Sequence, residues 1–431
     1  MRIITDFAEA KGLFSRRSSG LTPESAVQEN AVRQIVEDVR QRGDAALYDY
    51  TVKFDGVRLD NLEVGKREIN AAFRKIDSGL LASFRLAAGR ISNYHTRQKK
   101  SLLRESTASD AGWLFRPLES VGIHVPSFTA PLPSSLLMTA IPARVAGVKE
   151  IILVTPPGKS GRVSPLTLAA AKIAGVDRVF AVGGAQAIAA LAYGTESVPR
   201  VDKVCGPGNI YVSLAKKMVF GAVGIDGLYG PSEVVIIADN TANPAYVAAD
   251  LLAQAEHGSG AAAVMFTPSR RLADAVNREI DTQLEDLPRQ EIIRESLEKR
   301  GMTVLVDSID RALELANLYA PEHLCLVIRN AASYVKKVKN TGCLFLGEDS
   351  VEVLVDYIAG PSHVLPTGGS ARFGSPLNIT DFTKMISVIR QDKKTIGKLG
   401  RAASVFARAE GMDAHARAVE KRLSAGDKGG K

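Results

Sequence analysis

The sequence predicts an α/β fold built on parallel sheets. Short apolar runs alternate with alanine-rich helical stretches from Val121 onward, a second such series begins at Glu233, and helical patterns occupy the first hundred residues and the segment after Asn378. Strands that alternate with helices pair in parallel through right-handed crossovers.

The N-terminal part reads as helix. Thr22-Pro23-Glu24 supplies an N-cap, a proline at the first helical position and an early acid, and Ala26, Val32, Ile35 and Val39 then form a stripe that stops at Gly43. Helical patterns continue over 66–77 and 80–98. Further on, 150–155 reads as a buried strand, Ser164-Pro165 opens a helix ending at Gly175, 178–182 is the next strand, and Gly183-Gly184 turns into a helix over 185–193. The second series comprises strand 233–238, helix 244–257, strand 261–267, helix 270–284, strand 303–306, helix 309–319 and strand 324–328. After Asn378 the reading is helical over 381–390, 397–409 and 414–423, before a Gly/Lys tail.

A length of 431 residues exceeds what one core organises, so two or more domains are expected. Apolar residues at 45% and charged residues at 24% exclude extensive disorder. No apolar run approaches the roughly 18 residues of a membrane-spanning helix. Met1-Arg2-Ile3-Ile4-Thr5-Asp6 does not open a secretory signal, so a cytoplasmic location is expected. Cys205, Cys325 and Cys343 are odd in number, widely spaced and without C-x-x-C, which excludes a disulfide framework and a cysteine zinc cluster. The net charge of +8 is scattered, and its denser clusters (Arg16-Arg17, 97–104 and 421–431) lack aromatic interleaving or a nucleic-acid motif. Neither nucleic acid nor membrane is an expected partner.

Six histidines are present, four of them in the last two-fifths of the chain near acids or amides. In Gln254-Ala255-Glu256-His257-Gly258, Gln254 and His257 stand i, i+3 at the end of a helix, so their polar ends converge. A histidine there also suits the helix dipole without any ligand. Pro321-Glu322-His323-Leu324 precedes a strand, and strand ends at a sheet edge are where α/β proteins place chemistry. A histidine suits proton removal near neutral pH and a carboxylate suits water activation, but adjacent side chains reach one cavity only if the proline turns the chain; a solvated strand end is the alternative. The turn-rich run from Asp356 through His363 to Gly369 is of the kind that lines binding sites. Glu410 and His415 would lie about 140° apart on a continuous helix, so Gly411 must end one helix and Asp413 cap the next. Together His257, His415, Asp356 and Gln254 form a nitrogen and oxygen donor set that suits zinc or manganese. Val182-Gly183-Gly184 and Cys205-Gly206-Pro207-Gly208-Asn209 are strand-to-loop elements without the G-x-G-x-x-G spacing, open to ligand approach or to a purely structural turn.

These motifs, with 121–138, Gly230-Pro231-Ser232-Glu233 and His363-Val364-Leu365-Pro366-Thr367, resemble the histidinol dehydrogenase family in order over about 118–423. The resemblance implies a zinc- and NAD-dependent enzyme that oxidises L-histidinol through the aldehyde to L-histidine, with one zinc per subunit. It implies Gln254, His257, Asp356 and His415 as metal ligands, and His323 as general base with Glu322 activating water. Ser232 and Glu410 would contact substrate together with Gln254, His257, His323, Asp356 and His415. His124, Gln186 and Asn209 would contact NAD, although the family usually has tyrosine at His124 and Gly-Gly at Ser127-Phe128. The implied fold is two incomplete Rossmann-like domains, the first from 25–123 and 234–376 and the second from 124–233. A helical extension over 1–24 and a C-terminal arm over 377–431 complete it, the arm reaching the partner's site in a homodimer. The alternatives are a related zinc and NAD dehydrogenase acting on another amino or sulfonated primary alcohol, and a binding or structural zinc protein.

Overall fold

Two parallel sheets organise the larger of the two units into which the chain divides, Met1–Lys99 with Leu118–Phe382; the smaller comprises Lys100–Pro117 with Thr383–Lys431. The computed structural model describes residues 1–15, 25–107, 110–127 and 131–426. The first sheet has six strands in the order Arg2–Ile4, Met302–Leu305, Ala262–Thr267, Glu233–Ala238, His323–Val327 and Cys343–Leu346. Every residue of Glu233–Ala238 is buried, because helices cover both faces of the sheet and a central strand then has no solvated side. Helices Pro244–Ala255, Arg270–Leu284 and Gln290–Arg300 seal one face, and Phe7–Ser15 with Ile309–Tyr319 the other.

The second sheet has five strands, Arg178–Phe180, Glu150–Val154, Ser120–His124, Lys203–Cys205 and Gly224–Ile225. Ser25–Arg42, Asp44–Asp55, Gly184–Tyr193 and Ile210–Val219 pack on one face through a core that includes Val32, Leu47, Ile188 and Leu214. From Ser120–His124 the chain winds outward in one direction and then, from Lys203–Cys205, in the other, so the order reverses between these two neighbours. Such a reversal opens a crevice at the carboxyl ends of the strands.

The α/β reading with parallel sheets holds, and three expectations change. Residues 25–64 pack on the second sheet rather than with the first, and Ser120–His124 is that sheet's central strand, so the boundaries drawn at 25 and 123 do not separate the layers. The N-terminus is not purely helical: Arg2–Ile4 forms an edge strand beside Met302–Leu305 before Phe7–Ser15. The expected N-cap at Thr22 lies outside the described residues, as do Arg16, Arg17 and Phe128. The segment expected as helix over 381–390 is instead the strand Thr383–Ile389, antiparallel to Ala111–Pro117 in the smaller unit. Its β-branched content (Thr383, Ile386, Val388 and Ile389) is strand-like, but the partner lies far upstream in sequence. In that same unit Lys393–Ala409 and Asp413–Gly426 form a helical hairpin turned at Gly411, with Arg408 paired to Asp413 and Glu420.

Candidate active site

Ser232, Gln254, His257, Glu322, His323 and Asp356 belong to the larger unit, and the first five gather at the amino edge of the six-stranded sheet. Ser232 precedes the strand Glu233–Ala238 and His323 is the first residue of His323–Val327, while Pro244–Ala255 runs back between strands and delivers Gln254 and His257 to the same edge. This reverses the usual placement of chemistry at the carboxyl ends. At that opposite edge the Asp239 carboxylate ties the ends of Glu233–Ala238 and His323–Val327 together, accepting from the backbone of Arg329 and Thr241 at 2.9 Å each.

The turn that exposes the Glu322-His323 pair to one region is made by Ala320, not by the proline alone. Ala320 caps Ile309–Tyr319 in the left-handed conformation, φ 53°, which a residue with a Cβ adopts at a cost of about 1–2 kcal/mol. Glu322 and His323 are both buried. Glu322 accepts from the backbone N–H of Glu233 at 2.9 Å and from the Ser232 hydroxyl. His323 Nδ1 lies 2.7 Å from Glu352 Oε1, an ion-pair contact without hydrogen-bond geometry, and its Nε2 is buried with no protein group paired to it. Burial pushes the Glu322 carboxyl well above the usual carboxylate range, against the pull of the His323 imidazole. Burial alone would lower His323, but the carboxylates of Glu352 and Glu322 outweigh it and raise this imidazole. The result is a base of more than ordinary strength beside a carboxyl tuned toward neutral pH.

Beside this pair stands an oxygen- and nitrogen-rich group. His257 Nε2 and His363 Nδ1 each lie 3.9 Å from the Asp356 carboxylate. His363 is held neutral by burial; its Nδ1–H donates to the Asp356 carbonyl at 2.8 Å, and Nε2 accepts from the Ser135 hydroxyl at 3.2 Å. Gln254 is 1% exposed, yet neither atom of its carboxamide has a partner. A buried amide left this way forfeits a few kcal/mol, so the site asks for a ligand at Gln254. Among the described residues no group of three or more His, Cys, Asp or Glu side chains closes on one point. Glu410 and His415 belong to the smaller unit, at the turn of its helical hairpin.

The other three expected residues lie at the carboxyl edge of the five-stranded sheet, at its reversal point. His124 is buried with both ring nitrogens engaged: Nδ1–H donates to the Pro207 carbonyl at 2.9 Å and Nε2 accepts from the Gly184 N–H at 3.3 Å. The ring thus clips together the two glycine loops and is not free to hydrogen-bond a ligand through its nitrogens. Gly206 at φ 108° lies so close to this strand that a Cβ would stand 2.2 Å from the His124 carbonyl oxygen. Asn209 caps Ile210–Val219 by accepting from Val212 N–H at 3.1 Å, which orients its carboxamide and leaves its amide N–H groups for a ligand. Gln186 is buried in the first turn of Gly184–Tyr193.

Burial lowers the His124 pKa from 6.5 to about 4. The unfolded chain therefore binds more protons than the folded one between those values, and stability falls as pH drops from about 6.5 to about 4, by up to about 3 kcal/mol. Thermal unfolding across this range should show a shallower acid loss in His124→Asn than in the unsubstituted protein. Equal slopes would contradict the assignment.

A family model for histidinol dehydrogenase matches residues 20–423. The chain belongs to the histidinol dehydrogenase family. It is 51% identical to the histidinol dehydrogenase of Dehalococcoides mccartyi strain CBDB1, over 98% of this chain and all of that one. Identity to the histidinol dehydrogenase of Deinococcus radiodurans is 52%, over 94% and 91% of the two chains. The crystal structure of histidinol dehydrogenase from Elizabethkingia anophelis is similar with a TM-score of 0.93 at 38% identity, covering 99% of this chain and 98% of that one. The chain is an oxidoreductase, and the resemblance drawn from its motifs is established.

In this member of the histidinol dehydrogenase family the sequence motifs overlooked Glu352 and the Ser135–His363 link. Glu352 had a legible signal, since it stands i, i+4 from Asp356 and so shares one helical face with it. Ser135 had none, because its partner is 228 residues away. Cys325, two residues past His323 on the strand, is buried in the apolar cluster of the sheet, and burial raises its thiol far out of the reactive range.

Proposed function

We propose that this enzyme oxidises L-histidinol to L-histidine in histidine biosynthesis, in two steps linked to NAD and dependent on zinc. The observation that supports it most directly is the buried, partnerless carboxamide of Gln254 next to His257 and Asp356, a donor set of the kind a substrate-orienting metal takes. Zinc bound by Gln254, His257, Asp356 and His415 would supply a Lewis-acidic anchor for the amine and imidazole of the substrate. NAD would accept a hydride in each step; the glycine loops at the reversal of the five-stranded sheet, with Gln186 and Asn209, suit it by their open backbone.

His323 Nε2 removes the proton of the alcohol as the hydride leaves the carbon. After His323 gives that proton to solvent, the aldehyde adds water, whose proton passes to Glu322, and His323 takes the hydroxyl proton of the hydrate during the second hydride departure. The sum is one alcohol, one water and two NAD giving one carboxylate, two NADH and three protons. Ser232 orients Glu322, and Glu410 suits the cationic end of the substrate. Glu410 and His415 sit on an arm whose helix exposes Val405 and Phe406, which supports a homodimer in which each arm completes the partner's site. A cytoplasmic location is part of the same reading, in keeping with three free thiols.

The reading predicts two NADH formed per histidinol consumed, measured by absorbance against quantified histidine. A ratio of one, or no NADH from histidinol while another primary amino alcohol reacts, would overturn it.

A further inference from the structure

The strand His323–Val327 meets the short helix Val353–Tyr357 through one polar contact, the 2.7 Å approach of His323 Nδ1 to Glu352 Oε1. Both side chains are about 95% buried, at 4% and 5% exposure. The second oxygen of Glu352 is buried without a partner, so His323 is the one cationic group its carboxylate meets among the described residues. The Phe345 ring stands edge-on to the imidazole at 5.8 Å between centroids and restricts its rotation. Neither ring nitrogen makes a hydrogen bond to the protein: Nδ1 meets Glu352 as an ion-pair contact, and Nε2, opposite it, is buried with no protein group paired to it.

We infer that Glu352 is a positioning residue for His323: its carboxylate, 2.7 Å from Nδ1, favours the proton on that nitrogen by charge and leaves Nε2 as the atom that takes the substrate proton. The inference rests on the reading of His323 as the base. One helical turn links the two halves of the site, because Glu352 serves the base while Asp356, four residues on, faces His257 and His363. A carboxylate so placed also stabilises the imidazolium formed when the proton is taken. The charged and titratable groups facing His323 are Glu322 on its own segment, Glu352 and Asp356 from the helix, and His363 from the following loop; Asp250 faces Glu352 from Pro244–Ala255.

The test is the pH dependence of kcat for histidinol oxidation in Glu352→Gln, Glu352→Asp and His323→Asn. Glu352→Gln should lower the plateau of kcat about 10- to 100-fold, less than loss of the base itself. It should also move the acidic limb to lower pH, since an imidazolium with one fewer carboxylate loses its proton more easily. KM for histidinol and bound zinc should stay within about twofold. Glu352→Asp should keep the limb in place and lose less in kcat. A reduced kcat with an unmoved limb in Glu352→Gln, or an unchanged kcat, overturns the inference. Should Glu352→Gln fail to fold, Glu352→Asp decides: a shortened reach lowers kcat at least about fivefold at unchanged zinc content, and wild-type kcat overturns the role. His323→Asn separates the two readings, because an active His323→Asn removes the base assignment itself, whereas an inactive one with an unmoved limb in Glu352→Gln removes only Glu352.

Discussion

Replacing His323 by asparagine should lower kcat for histidinol oxidation about a thousandfold, and for oxidation of supplied histidinal to a similar degree. The reason is that both hydride departures require an oxygen-bound proton to leave at the same time, and Nε2 of His323 is the buried ring nitrogen that faces no protein partner, Nδ1 being the one beside Glu352. Asparagine keeps a polar side chain of similar length, so the strand His323–Val327 should fold as before. Glu322→Gln should act differently. It removes the acceptor for the water proton and so should slow the aldehyde-to-acid half-reaction while leaving alcohol oxidation within about tenfold. Rapid-quench measurement of each half-reaction, with histidinol and with histidinal, distinguishes them. Equal losses in both half-reactions for Glu322→Gln would refute the division of labour, and a His323→Asn enzyme within tenfold of the original would refute the base.

Chelation should abolish turnover and leave the fold intact. Gln254, His257 and Asp356 project from elements that are already fixed by apolar packing: Val247, Leu251 and Ala255 anchor the helix bearing Gln254, and Val355 anchors the one bearing Asp356. Each fully buried aliphatic side chain contributes about 1.5–3 kcal/mol, so these elements do not depend on an ion for their position. Circular dichroism should therefore be unchanged after chelation, with kcat restored by zinc and zinc content returning to one per subunit. Oxidation of histidinol at an undiminished rate by protein shown to be metal-free would remove the metal from the reading. Loss of helical signal on chelation would show instead that the ion holds the fold.

Local chemistry in the sequence was enough to determine much of the strand and helix alternation from Glu150 to Val327, though not the strand Gly224–Ile225 or the helices Ile210–Val219 and Gln290–Arg300, because runs such as Glu233–Ala238 are apolar throughout and bounded by caps and glycines that act over a few residues. It also marked Gln254, His257, Glu322, His323 and Asp356 as candidates, since each sits in a short motif with its neighbours, but left a purely structural reading open beside the functional one. What the sequence could not determine were pairings between distant segments. The strand Thr383–Ile389 depends on Ala111–Pro117, the edge strand Arg2–Ile4 on Met302–Leu305, and the placement of residues 25–64 on which sheet offered them an apolar face. Tertiary structure also decided the contacts at the carboxyl edges, where Asp239 ties two strand ends of the first sheet together and His124 clips the glycine loops of the second. Finally, the character of His323 as a base is a property of its surroundings: burial alone would lower its proton affinity, and the neighbouring Glu322 together with Glu352, brought in beside a helix that begins 30 residues later, raises it.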